Sequence, residues 1–137
     1  MADEVTSEKE AQNCLKVKRM LLDIPGLAIK NLREDLFFIS DPETGVEFTA
    51  DVEENVLFIR SEVVSLPKEA SVDFLRFLLE LNGRIVHVAF GIEDDTLVLR
   101  DNLEIENLDQ NELEASCKAL ILTLFHASNE ISSFLNK

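Results

Sequence analysis

An α+β domain, built as an antiparallel sheet with packed helices in the order α-β-β-β-α-β-β-α, is the architecture this sequence predicts. Three observations lead there. The middle of the chain breaks into short runs rich in β-branched and aromatic residues, which is strand composition. The clusters between those runs are turn-formers short enough to join neighbouring strands as antiparallel hairpins. Helical apolar spacing begins the chain, ends it, and interrupts the strands once, so helices pack on the sheet.

The first helix is expected over roughly Ser7 to Leu22. It places Ala11, Cys14, Leu15, Lys18, Leu21 and Leu22 along one side, and Ser7 with Glu10 offers a capping-box start. Asp23-Ile24-Pro25-Gly26 stops it, because proline disfavours helical geometry in the residue before it and glycine tolerates the turn that follows. Three or four strands come next: Leu27 to Leu32, Leu36 to Ser40, Val46 to Val52 and Val56 to Val63. Periodicity leaves open whether Leu27 to Leu32 joins the sheet. Val46, Phe48 and Ala50 alternate with Glu47, Thr49 and Asp51, which gives that strand one apolar and one polar face.

Pro67 stands where the first turn of a second helix, about Lys68 to Asn82, accepts it, and Asn82-Gly83 ends that helix. Asp73, Arg76 and Glu80 form a narrow polar stripe there. Val72, Phe74, Leu75, Phe77, Leu78, Leu79 and Leu81 cover more of the circumference than one side of a sheet requires. Either a second copy of the chain or, within one subunit, loops or the first helix must cover the excess. A hairpin follows, Ile85 to Ile92 and Thr96 to Arg100 around Glu93-Asp94-Asp95, with Leu103 to Ile105 as a short extension. Its first strand sets Val86, Val88, Phe90 and Ile92 on one face and Ile85, His87 and Ala89 on the other. The last helix starts at Asp109 as N-cap with Glu112 three residues on. It carries a long apolar stripe through Leu113, Cys117, Leu120, Leu124, Ala127, Ile131 and Leu135, flanked by Ile121 and Phe125.

At 137 residues, 46% hydrophobic and 29% charged, the chain suits one domain over 1–137 with one modest core and with residues 1–6 as a flexible terminus. Its net charge of -14 sets a field that repels phosphate backbones and anionic membranes, so neither nucleic acid nor a membrane is an expected partner. The charge is spread: residues 1 to 60 hold 7 basic and 13 acidic side chains, residues 61 to 137 hold 6 and 14. Two cysteines in helical segments, no basic-then-apolar leader and no run of about 18 apolar residues point to a soluble protein of a reducing cytoplasm.

No catalytic, cofactor or metal motif stands out. The chain has neither a Gly-rich phosphate loop nor Cys-x-x-Cys or His-Glu-x-x-His spacing, and no cofactor or metal is expected. His87 is either a base beside a groove, in a small-ligand regulator or enzyme, or a partly exposed sheet residue with no carboxylate or nucleophile placed to accompany it. His126 falls on the polar side of the last helix. Cys117 belongs to that helix's apolar stripe, where a thiol is a packing residue. Glu93-Asp94-Asp95 and Asp41-x-Glu43 lack the alternate ligand spacing of a calcium loop and read as solvated turns.

Certain segments carry a family resemblance: Phe74-Leu75-Arg76-Phe77-Leu78-Leu79-Glu80-Leu81-Asn82, then Val88-Ala89-Phe90-Gly91-Ile92, then Thr96-Leu97-Val98-Leu99-Arg100, then the long last helix. In this order and acidic frame the chain resembles the fold shared by type III secretion chaperones of the Tir-chaperone type and the YbjN-like proteins. The resemblance implies a cytoplasmic, homodimeric, non-enzymatic chaperone or adaptor that binds an extended segment of a client protein by strand addition and apolar pockets. The residues watched for partner binding or dimerisation are Val46, Phe48, Phe58 and, from the second helix, Phe74, Phe77, Leu78 and Leu81.

Overall fold

The computed structural model describes residues 2–136, with side chains from Glu8 onward. In chain order the elements are α1 (Ala2–Leu22), β1 (Ala28–Arg33), β2 (Leu36–Ser40), β3 (Glu47–Glu53), β4 (Val56–Ser65), α2 (Val72–Asn82), β5 (Ala89–Glu93), β6 (Thr96–Glu104) and α3 (Gln110–Leu135). The order is thus α-β-β-β-β-α-β-β-α: the segment expected over Leu27 to Leu32 joins the sheet as β1 (Ala28–Arg33) and brings the first group to four strands. All neighbouring strands are antiparallel, in the spatial order β1-β2-β3-β4-β6-β5. The first four strands form a meander. α2 then crosses over, and the β5–β6 hairpin returns with β6 against β4 and β5 at the outer edge.

One face of this sheet is the core. Phe37 and Ile39 of β2, Phe48, Ala50 and Val52 of β3, Leu57 and Ile59 of β4, Leu97 and Leu99 of β6 and Phe90 of β5 are all buried. They share one cluster with Cys14, Val17 and Leu21 of α1, Phe74 and Leu78 of α2, and the α3 stripe from Leu113 to Ile131. Strand alternation sends the neighbours of these residues, among them Phe38, Thr49, Phe58, Arg60 and Arg100, to the opposite face. That face is held by charge. Glu93 pairs with Arg60 at 2.9 Å and with Arg100 at 2.9 Å, and Arg60 reaches Glu62 at 3.1 Å. Val98, opposite Glu62 on β4 and Gly91 on β5, has 0% exposure although it points away from the core cluster. The ion pairs on its three strands ring it, and their aliphatic stems account for that burial.

Local chemistry explains the boundaries. Asp109 caps α3 by accepting a hydrogen bond from the Glu112 amide at 2.8 Å, as its spacing predicts. The β5–β6 turn holds Asp94 and Asp95 at φ 47° and 62°, the pair of left-handed residues that a type I′ hairpin needs. β6 bonds to β4 through a bulge at Val63, where Glu62 faces Val98 but Val64 faces Leu97. A polar lock ties β6 to α3: fully buried Ser116 donates its hydroxyl to Asp101 at 2.8 Å.

Several expectations are corrected. α1 runs back to Ala2, so Ser7 is not at its start; residues 1–6, expected as a flexible terminus, lie outside the residues with described side chains. Its buried stripe is Cys14, Val17 and Leu21, while Leu15 and Leu22 point outward, because helix placement over β3 rotates the apolar arc by one position. α2 begins at Val72 rather than Lys68, since Ser71 supplies the cap by accepting from the Phe74 amide at 3.1 Å; Pro67 precedes the helix by several residues. The strand expected from Ile85 begins only at Ala89. The Val88 amide bonds the Val86 carbonyl at 2.9 Å around His87 at φ 74°, a tight three-residue turn that breaks the alternation and leaves Val86 exposed. On α3, Phe125 is exposed rather than packed.

Burial separates two leucines of α3, Leu120 on its apolar stripe and Leu122 off it. Leu120→Ala, at 0% exposure, is expected to cost about 2–5 kcal/mol in urea unfolding, and Leu122→Ala, at 45% exposure, within about 0.5 kcal/mol of nothing.

Candidate protein-binding cleft

The two edges of the sheet differ. At β5, the Asn82 side chain at the end of α2 donates to the Phe90 carbonyl at 3.1 Å and accepts from the Phe90 amide at 2.7 Å. One carboxamide thus takes both outward groups of that residue, standing where the next strand would pair. At β1, no strand among the described residues lies outside, and Lys30, Asn31, Leu32 and Arg33 are exposed.

Beside that open edge lies a cleft between α1 and the β1–β2 hairpin, in two adjoining parts of about 370 and 340 Å³. Ala11 and Cys14 of α1 and Phe37 of β2 give it an apolar floor; Leu15, 56% exposed, stands at its rim. Lys18 and Asn31 line one end, and Glu10 and Asp35 the other, with Arg33 and Glu34 between. The hairpin is braced by an Arg33–Asp35 ion pair at 3.1 Å and by the Val52 amide bonding the Asp35 carbonyl at 2.8 Å. α1 is anchored lengthwise: Asn13 donates to the Glu54 carbonyl at 2.8 Å, and Lys16 to the Ile105 carbonyl at 2.6 Å.

Burial first, then the carboxylates of Asp35, Glu10, Glu34 and Asp51, push the Cys14 thiol from 9.0 up to about 11. Asp51 is itself raised by burial, Glu53 and Asp35, against the opposing Arg33, and its Oδ1 is buried without a hydrogen-bond partner. The Cys117 thiol, in the core, is pushed to about 12 by burial and then by Asp101. Thiols held protonated in this way are poor nucleophiles.

A second surface is apolar. α2 exposes Val72 (77%) and Leu79 (71%), seven residues apart and so on one face, and the segment after it exposes Val86 (66%) and Ile92 (53%). The residues watched from sequence distribute differently. Phe48, Phe74 and Leu78 are consumed by the core. Val46, Phe77 and Leu81 are half-buried against it, and Phe58 is half-buried on the charged face of the sheet. Phe74 and Phe77 instead hold α2 to α3 through Phe134, with ring centres 5.4 and 5.2 Å away. Sequence reasoning missed the cleft residues because they come from α1, β1 and β2 and converge only in the fold. It also missed the function of Asn82, though Asn82 stood in the pattern that carried the resemblance.

His87 is exposed on its tight turn, with no part in either section of the cleft. His126 is exposed and lies edge-on to Phe125. Among the described residues no group of three or more His, Cys, Asp or Glu is arranged to hold a metal, and no helix is long and apolar enough to cross a membrane.

Comparison with known proteins matches the CesT_Tir_1 family model over residues 10–137. Among solved structures, the chain is similar to a chain of the heterodimeric complex ExoU-SpcU from the type III secretion system of Pseudomonas aeruginosa. That match has TM-score 0.61 and 16% identity over 88% of this chain and 95% of the other. An uncharacterized protein from Methanothermobacter thermautotrophicus is similar at TM-score 0.65 and 14% identity, over 90% and 99% of the two chains. A chain of the ExsC-ExsE complex is similar at TM-score 0.51 and 15% identity, over 92% and 95%. At these identities the structures show a shared fold. No curated protein matches.

The raised thiols make stability depend on alkaline pH. In the unfolded chain they ionise near 9, in the folded one near 11 and 12, so their contribution is complete below pH 9 and is lost as pH rises through the folded values. Urea-unfolding free energy is expected to fall more steeply between pH 9 and about 11 in the wild type than in the Cys14→Ala, Cys117→Ala double variant. Equal slopes would show that burial does not hold these thiols protonated.

Proposed function

The chain belongs to the CesT_Tir_1 family of type III secretion chaperones, and from that premise we propose that it is a non-enzymatic, cytoplasmic chaperone or adaptor whose client lies extended along β1, beside α1. The observation that carries this reading is the unpaired β1 edge flanking an apolar-floored cleft. Main-chain groups of β1 supply ladder hydrogen bonds to an added strand, while Ala11 and Leu15, the accessible apolar side chains of the lining, receive its side chains over the buried Cys14 and Phe37. Such binding needs no reacting group, which agrees with protonated thiols and a histidine outside the cleft. The solved relatives ExoU-SpcU and ExsC-ExsE are protein–protein complexes, and that supports a protein partner. A charge of -14 disfavours nucleic acid and anionic lipid as alternatives.

The working unit in this reading is a homodimer formed through α2. Val72, Leu79, Val86 and Ile92 are exposed apolar side chains on one helix and the segment directly after it, and burial against a second copy removes them from water. Phe77 and Leu81, half-buried along the same helix, extend that contact.

Light scattering is expected to give about 31 kDa, twice the 15.5 kDa chain, and Leu79→Asp with Val86→Asp to return it to 15.5 kDa without loss of helix by circular dichroism. A wild-type mass of 15.5 kDa would reject the dimer. For the client site, hydrogen exchange of the full chain should slow in Ala28–Arg33 and in the α1 segment 11–18 when a peptide selected from a random library is bound. Slowing confined to other strands would overturn the placement.

A further inference from the structure

The cleft is apolar at its floor but electrically polar along its length. Lys18 stands at one end. Glu10 and Asp35 stand at the other, where α1 passes the β1–β2 turn, with Glu34 between the two ends. Of the two cations in the lining, Arg33 is engaged with Asp35 at 3.1 Å. Among the described residues neither Glu10 nor Glu34 has an ion-pair partner. On the other face of the sheet, behind that end, Asp51 and Glu53 of β3 add further negative charge, and among the described residues the buried Oδ1 of Asp51 has no hydrogen-bond partner. The field of this group reaches the cleft floor, since Asp35, Glu10, Glu34 and Asp51 all act on the Cys14 thiol.

Resting on the reading that an extended segment docks here, we propose that the cleft selects a basic segment, with apolar side chains on Ala11 and Leu15 and a Lys or Arg beside the Glu34–Asp35 turn. The spacing follows from α1. Glu10 and Lys18 are eight residues apart, about 12 Å along a helix, which an extended chain rising about 3.3 Å per residue crosses in three to four residues. A client cation at the Glu10 end therefore sits three to four positions from whatever residue meets Lys18. That second position excludes a cation, because Lys18 repels it. The polarity fixes the register of an added strand, which main-chain pairing alone leaves free to slip.

The test is a selection of random 12-residue peptides on the immobilised full chain, repeated on Ala11→Phe, which fills the cleft, and on the Glu10→Gln, Glu34→Gln, Asp35→Asn triple variant. Circular dichroism and urea unfolding establish that both variants are folded. Peptides whose binding is lost in Ala11→Phe should be enriched in Lys or Arg at one end. Synthesised individually, they should bind the triple variant about tenfold more weakly, because the client cation loses the carboxylates of Glu10 and Glu34 and meets an Arg33 no longer paired with Asp35. Cleft-dependent peptides with no basic bias, or with unchanged affinity for the triple variant, would overturn this inference and leave strand docking standing. Absence of any peptide sensitive to Ala11→Phe, basic peptides included, would overturn both.

Discussion

Leu97 and Leu99 of β6, each at 0% exposure beneath α3, form the contact on which the rest of the molecule is arranged. β6 lies between β4 and β5, so its core-facing side chains join the meander to the returning hairpin and both to the last helix. Burying each such side chain is worth about 1.5–3 kcal/mol, and the α3 stripe from Leu113 to Ile131 extends the same contact along the sheet. Once α3 occupies the centre, α1 covers the β1–β4 side and α2 the β5 side. The opposite face, left without a helix, is finished with charge: Arg60, Arg100 and Glu93 close over Val98 where a second layer would otherwise be needed.

That arrangement also decides where the surface stays unfinished. α1 packs chiefly on β3, so a cleft remains between it and the β1–β2 hairpin, and the outermost strand keeps its free edge. α2 is short, 11 residues, and its outer arc, with Val72 and Leu79, is exposed. The two unfinished places lie at opposite edges of the sheet, so the docking and dimer surfaces proposed above do not overlap.

Much of this was legible in the sequence where the determinant is local. Asp109 with Glu112, the Asp94–Asp95 turn and the alternation through Phe48, Ala50 and Val52 are each set by neighbouring residues, and each appears as expected. The resemblance drawn from α2, the β5–β6 hairpin and α3 agrees with the CesT_Tir_1 match. What was not legible depends on contacts distant in sequence. The arc that α1 buries is chosen by β3, so Leu15 and Leu22 passed as core residues although they face outward. The tight turn at His87 keeps a run of strand-like residues out of the sheet, which composition does not reveal. Most of the residues watched for partner binding came from the strongest apolar positions, and such positions are claimed first by the core: Phe48, Phe74 and Leu78 are spent there. The cleft escaped notice because Cys14, Arg33 and Phe37 share no periodic segment.

The carboxamide of Asn82 across Phe90 bears on how copies of the chain meet. A sheet with two equal free edges can stack head to tail without limit, β1 of one copy on β5 of the next, and grow into a fibre. Here the growing end is stoppered: a copy arriving at β5 finds the Phe90 amide and carbonyl already taken by a side chain. Head-to-tail growth along the strand-pairing direction is therefore stopped, and pairing through β1 alone closes at two copies, so an open edge at β1 carries no hazard of self-propagation.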